Sequence, residues 1–189
     1  MFGSSHLKAT PATMGLLLAA CATPQADRLD AFETTLLSHD SATAALTRWC
    51  AARNMAVPPV IKAVPVKDAF VAPPPELGAL LDLLPGERLG YRHVRLTCGD
   101  ETLSIAQNWF VPDRLPDQMN DVLGSTHTPF GKVIGPLGFT RERLDAVRGR
   151  GPGCPEGTVL SHSGLLRLND GRPISLVMEC YTEANLRFQ

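Results

Sequence analysis

A chain of 189 residues with 44% hydrophobic content can bury a single core. Its 18 Lys+Arg against 19 Asp+Glu leave a formal net charge of −1, which excludes the basic surplus that binds nucleic acid through counterion release. The two signs are mixed along the chain rather than blocked, and there is no internal repeat and no run long enough to span a bilayer.

Residues 1–25 differ from the remainder. Lys8 supplies a positive charge, Met14 to Ala20 is a short apolar stretch, and Leu18-Ala19-Ala20-Cys21 follows. A secretory signal needs this order of basic start, apolar region and small-residue cleavage site. The segment resembles a bacterial lipoprotein signal, which implies that Cys21 becomes a lipidated N-terminus holding residues 26–189 at a membrane surface of the cell envelope. The same residues also fit an Ala-rich terminus with an incidental cysteine on a cytoplasmic protein.

Export would let Cys50, Cys98, Cys154 and Cys180 pair, although an even count gives no connectivity. None has CxxC spacing, so structural zinc is not expected, and buried free thiols are the reading preferred here. His6, His39, His93, His127 and His162 show no metal spacing and read as surface or turn residues; no metal and no cofactor is expected.

Apolar residues at Leu29, Phe32, Leu36 and Leu37 follow a helical period. Asp40 can cap a second helix, whose Leu46, Trp49 and Cys50 form one face for packing on a sheet. The proline clusters Val57-Pro58-Pro59, Val64-Pro65 and Pro73-Pro74-Pro75 read as extended connectors or edge segments, since proline lacks the N–H that a central strand must donate. Strands are predicted at Tyr91–Cys98 and Leu103–Val111 around Gly99-Asp100-Glu101, and at Val159–Leu168 and Ile174–Thr182 around Asn169-Asp170-Gly171-Arg172, giving two hairpins. Between them, Asp117–Leu123 and Thr140–Val147 read as short helices. The sum is an α+β domain with helices on one face of an antiparallel sheet.

Two charged residues break this pattern. Arg92 shares a strand face with Val94, Leu96 and Cys98, so it points toward the core, where a guanidinium requires a carboxylate from the protein or from a ligand. The alternative is a strand-end Arg reaching water. Its neighbours on the other face, Tyr91, His93, Arg95 and Thr97, read as solvated. In Ile174–Cys180 only Ser175 and Glu179 are polar, and a strand this apolar is covered on both faces. Glu179 is therefore buried, either at a ligand site or in a structural pair with an Arg of a neighbouring strand. Thr128-Pro129-Phe130-Gly131 is a turn whose glycine lets the backbone approach a ligand. There is no phosphate loop and no nucleophile elbow.

Several segments together resemble the chorismate lyase family: Leu36-Leu37 with Asp40-Ser41 and Thr43, Arg92-His93-Val94, Val111-Pro112, Thr128-Pro129-Phe130-Gly131, and Gly171-Arg172-Pro173 leading to Glu179. The resemblance covers about residues 30–186. It implies a six-stranded antiparallel sheet with helices over one face and an enclosed ligand pocket, in a monomer. It also implies that Arg92 binds a ring carboxylate, that the Phe130 N–H beside Gly131 supports it, and that Glu179 orients a hydroxyl or assists proton removal. The implied reaction is elimination of pyruvate from chorismate to give 4-hydroxybenzoate. A non-catalytic envelope lipoprotein holding a small aromatic or other carboxylated molecule uses the same residues. One residue more than the family pattern lies between Pro173 and Glu179, and a bulge must absorb it if Glu179 is to face the ligand.

Overall fold

The computed structural model describes residues 1, 24–67 and 70–187, so Cys21 and its lipobox-like segment lie outside the described residues. Two helices open the fold, α1 (Pro24–Leu37) and α2 (Ala42–Ala52), followed by strand β1 (Ile61–Pro65) and the short helix α3 (Leu77–Leu80). Strands β2 (Gly90–Cys98) and β3 (Glu101–Phe110) come next, then helices α4 (Asp117–Ser125) and α5 (Phe130–Ile134). The chain closes with β4 (Phe139–Arg148), β5 (Thr158–Leu168), β6 (Pro173–Thr182) and the helical turn α6 (Ala184–Arg187). The six strands form one antiparallel sheet in the order β1-β2-β3-β6-β5-β4.

Both expected hairpins are present, and β6 joins them at the centre by pairing with β3 and β5. The helix expected over Thr140–Val147 is instead part of β4. An edge strand has only one hydrogen-bonded neighbour and most of β4 faces solvent, so its run of charged residues lacks the apolar alternation that marks a half-buried strand. Ser41, not Asp40, caps α2: its hydroxyl accepts from the Ala44 N–H at 3.3 Å. Asp40 accepts from the Arg141 backbone N–H at 3.3 Å and so ties the helix entry to β4.

One face of the sheet carries α1, α2, α4, α5 and α6. Phe32, Leu46, Trp49, Val94, Leu96, Leu160 and Tyr181 form one buried cluster there, and Phe110, Leu123, Phe130, Ile134 and Val177 a second. Full burial of a large apolar side chain stabilises by about 1.5–3 kcal/mol, so the Phe32–Trp49 and Phe32–Tyr181 contacts, at 4.9 and 5.2 Å between centroids, anchor α1 and α2 firmly. The reverse face is covered by α3 and its flanking segments, with Leu77, Leu81, Trp109, Leu165 and Leu176 in a third cluster. Coverage of β6 on both sides accounts for its apolar run.

The four cysteines expected as free thiols form two disulfides, Cys50–Cys98 and Cys154–Cys180. Their spacing carried no signal because the partners meet only through the tertiary fold. The first joins α2 to β2 on the helical face; the second fastens the loop before β5 to β6 on the reverse face.

Candidate functional site beneath the helical face

The pairing register decides which side chains face the helices. Arg92 lies opposite Asn108, and Asn108 opposite Val177; one row along, Val94, Ala106, Glu179 and His162 are successive partners across β2, β3, β6 and β5. Glu179 keeps this facing because the extra residue is absorbed. Leu166 pairs with Ser175 and Arg167 with Pro173, which leaves Ile174 as a bulge at the start of β6.

Glu179 is buried and its partner is Arg141, at 2.6 Å. The pairing Arg was expected on a neighbouring strand, whereas Arg141 belongs to β4 and reaches across β5. Its guanidinium is also buried. Burial alone would lower the Arg141 pKa, but the facing Glu179 carboxylate, with Tyr181 and Asp40 nearby, outweighs desolvation and raises it. The Tyr181 hydroxyl donates to the same Glu179 oxygen at 2.9 Å, and its own pKa is raised by full burial and by that carboxylate. His162, expected at the surface, is buried edge-on to Tyr181 with centroids 5.4 Å apart. Its pKa is lowered, first by burial. Its Nε2 has no hydrogen-bond partner among the described residues.

Arg141 and Glu179 line a narrow cavity with about 30 Å³ of room for water-sized contents, walled also by Asp40, Ser41, Thr43, Asn108, Phe130 and Gly131. Such a space holds a water or two, not an aromatic acid. A Cβ on Gly131 would lie 2.7 Å from the Ser41 hydroxyl oxygen, so a larger residue there would have to shift the side chain that caps α2. The Phe130 side chain turns away to pack on Phe110, with centroids 5.4 Å apart.

Arg92 does not share this enclosed cavity. It lines an adjacent open cleft of about 760 Å³ with Tyr91, Phe70, Leu123, Gly124 and Thr126, and only Val94 borders both spaces. In place of the single enclosed pocket expected there are two adjoining spaces that share Val94, where the β1–β2 pairing ends at Pro65, and Arg92 lies beyond that point. The Arg92 guanidinium donates to the Thr128 carbonyl at 3.3 and 3.4 Å, and no carboxylate of the described residues lies within ion-pair distance. Partial burial lowers its pKa, yet an arginine retains its charge at neutral pH. The cleft thus offers a guanidinium held, among the described residues, by a backbone carbonyl alone, beside apolar and aromatic walls, while the inner cavity offers hydroxyl, amide and carboxylate groups.

Arg141, Asn108 and His162 were not singled out in the sequence. The alternation of Phe139, Arg141 and Arg143 is the trace that β4 left of an inward face, and Gly164 on β5 is the gap that lets Arg141 cross.

No family model matches the chain. The uncharacterized protein y4mC of Sinorhizobium fredii is 39% identical, over 85% of this chain and 76% of that protein. Three solved structures are similar in outline. The effector domain of PhnF from Mycobacterium smegmatis has 14% identity and a TM-score of 0.48, covering 77% of this chain and 90% of its own. The ligand-binding domain of a GntR-family transcriptional regulator from Bordetella bronchiseptica has 14% identity and a TM-score of 0.48, with 68% and 90% covered. The possible transcriptional regulator YydK from Bacillus subtilis has 15% identity and a TM-score of 0.47; 68% of this chain is covered, and the chain spans 60% of that protein's length.

Proposed function

We propose that this chain, which belongs to the same family as y4mC of Sinorhizobium fredii, binds a small aromatic carboxylate without turning it over. The observation that carries the reading is Arg92, a partly buried guanidinium whose partner among the described residues is a backbone carbonyl. A ligand carboxylate would supply the missing counter-charge through a charge-assisted pair. The apolar ring would lie against Val94 and Leu123, and its far polar end would enter the inner cavity between Ser41, Thr43 and Asn108. From strand spacing and rise, the Cα atoms of Arg92 and Glu179 are roughly 12 Å apart, a span that two inward side chains and one hydroxylated aromatic acid can fill.

Pyruvate elimination from chorismate would require Glu179 to engage a substrate hydroxyl or its proton. Both Arg141 and Tyr181 already hold its carboxylate, which favours binding over catalysis. Titration of the full chain with 4-hydroxybenzoate in a calorimeter, alongside incubation with chorismate, tests the reading. Heat of binding with no 4-hydroxybenzoate released from chorismate is the expected result. Release of that product would establish the lyase instead, and absence of heat would reject the site.

We further propose that Cys21 carries a lipid and that the domain resides in the cell envelope. Support comes from the cysteine inventory: four of the five are joined in disulfides, which persist in oxidising compartments, and Cys21 is the one left over. Membrane fractionation of wild type and Cys21→Ser tests this. Processed wild type should sediment with membranes and the variant should remain unprocessed; unprocessed wild type in the soluble fraction would reject it.

A further inference from the structure

The reverse face of the sheet carries a second opening, separate in chemistry from the site beneath the helices. Its floor is built from His93 and Arg95 of β2 and from Ile105 and Gln107 of β3, all facing away from the helical side by strand alternation. One wall is Val66 and Val71, on either side of the connection that follows β1. The other is the loop carrying Arg150, Gly153, Cys154 and Pro155. Together they enclose about 470 Å³, within the range of small-molecule sites.

Three features make this a built site rather than a gap between covers. The loop wall is fixed by the Cys154–Cys180 disulfide, and the Gln107 amide donates to the Gly153 carbonyl at 3.2 Å. That bond orients the amide and leaves the buried Gln107 Oε1 as an acceptor with no partner among the described residues. The charge is one-sided as well. Arg88, Arg148, Arg167 and Arg172 on the surface each pair with a carboxylate. Arg95 and Arg150 have no such partner among the described residues, and no Asp or Glu of the described residues lines the opening.

We propose that this opening is a second ligand site, specific for a small organic anion with an apolar body. The anionic group sits between the Arg95 and Arg150 guanidiniums, the body packs on Val66, Val71, Ile105 and Pro155, and a donor on the ligand satisfies Gln107 Oε1. The site does not depend on Arg92 or on the reading of the helical face.

The test is fluorescence titration of the full chain with 8-anilinonaphthalene-1-sulfonate, an aromatic sulfonate, and with the uncharged N-phenyl-1-naphthylamine. Wild type should bind the sulfonate at one site. The Arg95→Gln/Arg150→Gln variant should bind it about tenfold more weakly, with its unfolding midpoint preserved because both side chains are at the surface. The uncharged probe should bind both proteins equally, and Arg92→Ala should leave sulfonate binding intact. Undiminished sulfonate affinity in the double variant, or loss of binding in Arg92→Ala alone, would overturn the proposal. So would absence of sulfonate binding by the wild type, even if 4-hydroxybenzoate binds at Arg92.

Discussion

The Arg141 side chain reaches Glu179 by passing directly over Gly164, where a Cβ would stand 2.8 Å from the Arg141 Nε. β5 lies between β4 and β6, so a side chain at this position of β5 would block the crossing. Gly164→Ala should therefore displace Arg141 and leave Glu179 buried without its cation. Removing one member of a buried pair typically costs about 3–5 kcal/mol, and urea denaturation should show a loss of that order. Replacing both Arg141 and Glu179 by leucine should restore most of it, because no uncompensated charge remains. A stable Gly164→Ala protein would show that Arg141 does not need this passage.

His162 gives the fold a pH dependence whose sign follows from its surroundings. Burial holds its pKa below the ordinary 6.5; Glu179 and Glu33 oppose this, and Arg141 and Arg143 reinforce it. The folded state then binds fewer protons than the unfolded state. Its neutral-ring contribution is present above pH 6.5 and is lost as the pH falls below that value toward the folded pKa. The stability of His162→Phe, measured across the same range, should fall less steeply than that of the wild type. Parallel profiles would mean that His162 is not the group responsible.

The two disulfides restrain different faces. Each closes a loop, of 48 and 26 residues in sequence separation, and removing either should lower stability by about 2–4 kcal/mol. Proteolysis should distinguish them. Cys154→Ser/Cys180→Ser should expose the peptide bond following Arg150 to trypsin, whereas Cys50→Ser/Cys98→Ser should loosen α2 and leave that loop resistant. Equal cleavage after Arg150 in both variants would show that the loop is not held by its own bridge.

The strands that could be read from sequence were those with one or both faces buried. Tyr91–Cys98 and Ile174–Thr182 carry alternation or an apolar run, and Arg92 and Glu179 stood out against them. β4 could not be read this way because an edge strand with charges on both faces satisfies no hydrophobic template. Losing β4 also hid Arg141, and with it the partner that occupies Glu179. The reverse face was read as solvated from Tyr91, His93, Arg95 and Thr97. Tyr91 in fact packs on Trp109 with centroids 5.5 Å apart, and Thr97 is buried; only Arg95 is exposed. Its cover comes from segments distant in sequence, so no local pattern could announce it. The disulfides were hidden for the same reason.

Carboxylate recognition by Arg92 is tested most directly by measuring the affinities of 4-hydroxybenzoate and its neutral amide, 4-hydroxybenzamide, for wild type and Arg92→Ala. A hydrogen-bonded pair with a charged group contributes about 1.5–3 kcal/mol, or roughly 10–100-fold in affinity. Wild type should prefer the acid by that margin, and Arg92→Ala should lose the preference while keeping its unfolding midpoint. Equal affinity of the wild type for acid and amide, or an unchanged preference in Arg92→Ala, would contradict the account.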